Sequence, residues 1–201
     1  MADVEDAEAL AKSWGVRVVR AEISKIVDSF EDGLGSEGGR IASANLQARV
    51  RMTILYYHAN SMGLLVAGTG DRSEEEIGFF TKFGDGGADF LPIAHLFKTQ
   101  VKALGTYLGI PRKIVEKPPS PQLWTGHTAR EELPADYPVI DRVLSAILDQ
   151  GLSPAKAASA TGAPREVVDQ ILKMRAASDH KRSLPPSLVP KPDVRLIATK
   201  D

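Results

Sequence analysis

The chain has 201 residues, 43% of them hydrophobic and 25% charged, with a net charge of −1 and no cysteine. This is the balance of an ordinary folded domain with a core of normal size. It excludes disulfides, thiolate metal sites and a cysteine nucleophile, and it offers no general attraction to nucleic acid or anionic lipid. The acidic start Met1-Ala2-Asp3-Val4-Glu5-Asp6 is unlike a secretory or transit leader, and no apolar run approaches the roughly 20 residues of a membrane span. The cytoplasm is the expected location.

In chain order, Val4, Ala7, Leu10 and Ala11 recur at helical spacing, and Gly15 closes the pattern. Residues 16–23 are β-branched and read as a strand. A short helical piece around Ile26, Val27 and Phe30 runs into the loop 33–39. Leu46, Val50, Ile54 and Tyr57 mark one face of a long helix from Ile41 to about Met62. Leu64 to Thr69 is a short apolar run, of the kind buried on both faces of a parallel sheet. Ile93, Leu96, Phe97, Val101, Leu104 and Leu108 stripe another helix, closed by Gly109 and Pro111. After Pro118-Pro119-Ser120-Pro121 the character changes: 137–152 and 164–177 are helical, and the tail from Ser183 is proline-rich. The alternation predicts an α/β fold, a doubly wound parallel sheet flanked by helices, with a helical C-terminal region. The boundary falls after residue 117, giving 1–117 as a partial nucleotide-binding unit and 118–201 as helices and tail. Two visible strands are few for a free-standing sheet.

Several segments carry candidate chemistry. Gly33-Leu34-Gly35-Ser36-Glu37-Gly38 matches the dinucleotide fingerprint in letters, but no strand precedes it and Glu31 and Asp32 would repel a pyrophosphate; it reads as a loop. Gly68-Thr69-Gly70 follows a predicted strand, where open sheets bind ligands, and leads into the oxygen-rich 71–76. That stretch suits Mg²⁺ on phosphates, or simply an acidic helix start. Thr81-Lys82-Phe83-Gly84-Asp85-Gly86-Gly87-Ala88-Asp89 has three glycines in four residues, a pattern able to aim N–H groups at an anion. Arg49 and Arg51 lie near a helix start and oppose its dipole, which leaves room for an anionic ligand. His180-Lys181-Arg182 is either a helix end or a phosphate cluster. The stretch 153–168 has the outline of a helix-turn-helix, yet 151–182 holds six Lys/Arg against three Asp/Glu, a weak bias for DNA.

Taken in order, these segments resemble the ammonia-dependent NAD synthetases, an adenine nucleotide alpha-hydrolase-like family. The matching residues are Asn45-x-x-Ala48-Arg49-x-Arg51-Met52, Gly68-Thr69-Gly70, Ser73-Glu74, Gly78 to Asp89, Lys98-Thr99-Gln100, Tyr107 to Pro111, Lys117 to Ser120, Leu123-Trp124-x-Gly126 and His180-Lys181-Arg182. The resemblance implies ATP-dependent amidation of deamido-NAD with ammonia to NAD, AMP and pyrophosphate, by a homodimer. It implies that Thr69, Lys98 and Ser120 contact ATP, that Arg49, Lys82, Asp89, His180 and Lys181 contact deamido-NAD, and that Glu74 binds Mg²⁺. Lys98 is the residue expected to stabilise charge on the transferring phosphates.

The family's opening strand and its Ser-Gly-Gly-x-Asp-Ser phosphate loop have no counterpart here, so a truncated sheet and impaired catalysis by this chain alone are expected. A start set inside a longer protein, a non-catalytic nucleotide-binding paralogue and a subunit completed by another polypeptide are the three readings, the first preferred. His127 and Arg130 also depart from the family, where glutamine and an acidic residue are commoner.

Overall fold

The structure is a computed structural model that describes residues 2–35, 38–124 and 126–186. Its elements are α1 (Ala2–Ser13), α2 (Ser24–Leu34), α3 (Gly39–Met62), α4 (Arg72–Ile77), α5 (Lys98–Tyr107), α6 (Arg112–Val115), α7 (Tyr137–Leu148), α8 (Pro154–Thr161), α9 (Arg165–Ala177) and α10 (Asp179–Arg182), with a 3₁₀ turn at Ala129–Glu131. Most of the predicted helices are present, and α2 runs through Gly33 rather than stopping before it. The proline-rich tail beyond Pro186 lies outside the described residues.

The expected sheet does not form among the described residues. Residues 16–23 form no strand, and Val16, Val18 and Val19 are exposed. Residues 64–69 make a single parallel bridge, between Ala67 and Phe90. On that edge the Gly68 N–H donates to the Phe90 carbonyl and the Asp89 N–H to the Val66 carbonyl, both at 2.9 Å. Val66 and Gly68 turn inward while Leu64, Leu65, Ala67 and Thr69 face out, so the run is half-buried and not covered on both faces. A ladder needs a second edge partner, and none is present among the described residues.

The core lies in the C-terminal half. Tyr137, Ile140, Val143 and Leu144 of α7 pack with Val168 and Ile171 of α9, Ala163, Phe97 and Ile77 of α4. The spacing i, i+3, i+6, i+7 along α7 puts these apolar groups on one stripe. Ser153 caps α8, and its hydroxyl accepts the Lys156 N–H. Ala157 of α8, with Val168 and Ile171 of α9, is fully buried, so the inner faces of the helix-turn-helix-like pair are packing surface.

The helix expected from Ile93 starts only at Lys98. Residues 92–95 form turns, Phe97 is extended, and the Gln100 side chain accepts the Phe97 N–H at 2.8 Å. Ile93 and Leu96 match the helical spacing, but the turns at 92–95 and the extended cap residue Phe97 separate them from the helix. The packing of Ile77 and Phe97 on α7 fixes α4 and the start of α5 side by side, and the chemistry of the site sits on their free ends.

Candidate functional site

Helix α4 opens with a reciprocal cap: Asp71 accepts the Glu74 N–H at 3.0 Å and Glu74 accepts the Asp71 N–H at 3.1 Å. A second clamp sits beneath it. Buried Asp141 of α7 accepts the Ser73 hydroxyl at 2.5 Å and the Thr99 N–H at 2.8 Å, and the Ser73 oxygen in turn accepts the Lys98 N–H at 2.8 Å. One carboxylate thereby locks α4 to the N-terminus of α5, where its charge also suits the helix dipole.

Lys98 Nζ lies between these parts, 2.6 Å from both Asp71 Oδ2 and Glu74 Oε1. Burial pushes the Glu74 carboxyl above the usual carboxylate range; Lys98 opposes this and Asp71 adds to it. Burial would lower Lys98, but Glu74 and Asp71 together lift it above the ordinary ammonium value. The two directions agree once charges are counted, because one lysine cannot neutralise two carboxylates. Tyr137, beneath Lys98, is pushed strongly upward by burial and by Glu74, Asp71 and Asp141, and its hydroxyl has no hydrogen-bond partner among the described residues.

Beside this cluster is a cleft of about 450 Å³. Its walls are α3, with Ile41, Asn45 and Ala48, the segment 66–69, the loop 78–87, and Leu123, Trp124 and His127. Thr69 and Lys181 line it directly. Lys181 Nζ donates to the Gly78 and Phe80 carbonyls at 2.8 and 2.7 Å, and burial lowers its pKa. Arg182 donates to the carbonyls of Glu75 and Glu76 at the end of α4. Within the 180–182 run, Lys181 and Arg182 therefore satisfy backbone carbonyls in this structure.

The other predicted residues ring the cleft at one remove. Arg49 Nε donates to the Lys82 carbonyl at 3.4 Å, and Lys82 Nζ donates to the His180 carbonyl, so these three form one chain. Asp89 accepts the Val66 N–H at 2.7 Å and the Tyr56 hydroxyl at 3.2 Å. Ser120 donates to the His127 carbonyl. Glu74 and Lys98 are in direct contact with each other behind the cleft wall; among the described residues no hydrogen bond joins Asp89 or Ser120 to either group.

The glycine-rich loop differs from expectation. The Gly84 and Gly86 amides donate to the Thr81 carbonyl and the Gly87 amide to the Gly84 carbonyl, so these N–H groups close turns and do not face an anion. Glycine is needed for closeness: a Cβ on Gly86 would lie 2.4 Å from the Phe80 ring, and one on Gly84 2.9 Å from Ala48. The loop is pinned by Thr81, whose hydroxyl donates to Asn45 Oδ1 at 2.6 Å and whose N–H donates to Asp85 at 2.8 Å.

Three residues of the site were not selected from the sequence. Asp71 has a visible signal, the Asp-x-x-Glu capping pattern. Asp141 has one too, a charge inside the apolar stripe of α7. His127 has none: it is buried, stacked on Trp124 with ring centroids 3.3 Å apart, and bonded through Nε2 to Glu132. Among the described residues no three His, Asp or Glu side chains form a group able to hold a metal ion, and no helix is long and apolar enough to cross a membrane.

The family model described as NAD synthase matches residues 1–185. The chain belongs to the NAD synthase family. It is 54% identical over 185 residues to the NH(3)-dependent NAD(+) synthetase of Hyperthermus butylicus and 49% identical to that of Staphylothermus marinus, in each case covering 92% of this chain and 67% of the relative. The solved NMN synthetase of Francisella tularensis superposes with a TM-score of 0.79 at 34% identity, covering 92% of this chain and 72% of that one. The NH3-dependent NAD synthetase of Campylobacter jejuni does so with a TM-score of 0.72 at 25% identity, covering 94% and 72%.

Proposed function

We propose that this NAD synthase family member serves the ATP-dependent amidation of deamido-NAD by ammonia, as a cytoplasmic homodimer. The observation that carries the reading is Lys98, whose ammonium is held by Asp71 and Glu74 at the start of α4, the helix that directly follows Thr69 of the cleft wall. In the first step a carboxylate oxygen attacks the α-phosphorus of ATP and pyrophosphate leaves. In the second, ammonia attacks the acyl carbon and AMP leaves. Negative charge gathers on phosphate oxygens in the first step, and a positioned, permanently cationic group stabilises it there. Glu74 and Asp71 lift Lys98 above its ordinary value, which favours the charged form that this role needs.

The remaining roles are those the resemblance implies. Thr69 and Ser120 contact ATP. Arg49, Lys82, Asp89, His180 and Lys181 hold deamido-NAD, with the basic side chains of Arg49, Lys82 and Lys181 set toward its phosphates. Asp71 and Glu74 outnumber Lys98 by one charge, and that excess fits a cation arriving on the nucleotide. Glu74 would give one oxygen to Mg²⁺, which keeps most of its ligands as water and phosphate oxygens and supplies charge neutralisation.

The test is calorimetric binding of ATP with Mg²⁺, and of deamido-NAD, followed by assay of AMP and NAD with ammonium present. Saturable binding of both with equal release of AMP and NAD is the expected result. Binding of both with no product under any condition favours a non-catalytic nucleotide binder. Binding of neither sinks the reading. A second reading rests on the likeness to the Francisella protein: the acid is a mononucleotide, the carboxylate counterpart of NMN. Tighter binding of that acid than of deamido-NAD would select it.

A further inference from the structure

The fold turns one charge into the cleft that the proposed roles do not use. The α3 side chains lining the cleft recur at helical spacing from Ile41 to Leu55, and Arg51 is the one charged member of that stripe. Arg49, two positions earlier, is turned about 200° around the helix. It donates to the Lys82 carbonyl and does not line the cleft. The two arginines look like a pair in the sequence, and the helix gives them different neighbours.

The other charged groups on the cleft wall are engaged. Lys181 donates to the Gly78 and Phe80 carbonyls, Asp85 accepts the Thr81 N–H, and Glu132 is bonded to His127. Arg51 is exposed, and among the described residues it has no hydrogen bond, ion pair or aromatic ring as a partner. Its guanidinium is open to solvent, and its fork of N–H donors matches the paired oxygens of a phosphate.

The two ends of the cleft differ. Gln47 of α3 donates to the Leu123 carbonyl at 3.3 Å and Arg40 lies over Trp124, so the start of α3 faces the apolar, aromatic wall. Further along, a Cβ on Gly87 would lie 3.0 Å from Met52, so the region of Arg51 faces the glycine loop. Arg51 stands about 15 Å beyond Ile41 along the helix axis. A flat apolar group at one end and an anion at the other is the outline of a nucleotide.

Resting on the proposed reaction, whose two nucleotides both carry phosphates, we infer that Arg51 binds a phosphate group of the nucleotide seated in the cleft. ATP and deamido-NAD share this chemistry, and the experiment separates them. Calorimetry gives the affinity of each, ATP with Mg²⁺, for the intact chain and for Arg51→Lys, Arg51→Met and Arg51→Glu. Circular dichroism checks that each variant is folded. For one of the two nucleotides Arg51→Met, which keeps the apolar stem, should weaken binding about tenfold. Arg51→Lys should fall between the intact chain and Arg51→Met, and Arg51→Glu should be weaker than both. The other nucleotide should change by less than about twofold. Unchanged binding of both nucleotides by Arg51→Met overturns the inference and leaves the synthetase reading standing. So does an equal loss for both, or a loss in Arg51→Lys as large as in Arg51→Met. Failure of the intact chain to bind either nucleotide overturns both.

Discussion

The two halves of the molecule treat their apolar residues in opposite ways. In the α7–α9 half, Ile140, Val143, Leu144, Val168 and Ile171 have no exposed surface. In the half before Gly68, Val19 and Leu65 are 65% and 71% exposed, and Leu55, Tyr57 and Leu64 are also more than half open. Helix α2 of the first half is as clearly amphipathic as α7 of the second, yet its Ile26 and Phe30 stay exposed. The pattern specifies which face seeks cover; only the presence of a packed neighbour determines whether the face is buried. The site follows the same division, since Asp71, Ser73, Glu74 and Lys98 are anchored to the self-contained half through Ile77 and Asp141.

The comparison is tested hardest by truncating one residue in each half. Ile140→Ala should destabilise the chain by about 4 kcal/mol, because a fully buried side chain leaves a cavity in a close-packed cluster. Leu65→Ala should change stability by no more than about 0.5 kcal/mol. Urea unfolding of the two variants measures both. Equal losses would mean that the segment 64–67 is buried in solution, and the contrast between the halves would disappear.

Lys98→Met probes the join between the stable half and the cleft. It removes the cation shared by two carboxylates, and ATP binding should weaken about 100-fold, the order expected when one member of a buried, charged contact is lost. Calorimetry with ATP and Mg²⁺ reads this, with deamido-NAD as the control for an intact far side. Weakening of both ligands alike would make Lys98 a structural residue. Asp141→Ala should be milder for folding than Ile140→Ala, about 2 kcal/mol, through loss of its bonds to Ser73 and Thr99. Its specific mark is a loss of ATP affinity alongside the stability change, since α4 and α5 are no longer tied.

Much of the helical half is legible in the sequence, because α7 and α9 bury one stripe each and their periodicity survives packing. The sheet is not. Residues 16–23 and 64–69 have strand-like composition, but strand pairing depends on residues far away in sequence, and composition carries no information about which edge is filled. The helix predicted from Ile93 fails for a local reason: the Gln100–Phe97 cap starts the helix at Lys98, and the spacing of Ile93 and Leu96 is coincidental to it. Within the site, Glu74 and Lys98 were proposed from the resemblance, and the structure places them in contact. Their partner Asp71 was readable from the capping pattern. In the glycine loop, letters reveal that backbone freedom is needed, not whether the amides turn outward or close local turns on Thr81 and Gly84. The buried setting of His127 was invisible, since it follows from the stacking on Trp124 and the bond to Glu132 together.

The smallest expected effect concerns the charge excess next to the clamp. Burial, with Glu74 and Asp85 nearby, raises the Glu75 carboxyl above the ordinary range. The folded state therefore binds protons more tightly than the unfolded chain, and stability declines as pH rises from the unfolded carboxylate value to the folded one. Replacing Glu75 by Gln removes this penalty. At pH 7 the variant should gain about half a kcal/mol, a figure discounted for the solvent that still reaches the group. Below the unfolded carboxylate range the gain should vanish, because the wild-type carboxyl is then protonated in both states. Urea titrations at neutral and acidic pH measure the difference. A gain that persisted in acid would place its origin in packing, and the cluster around Lys98 would no longer account for it.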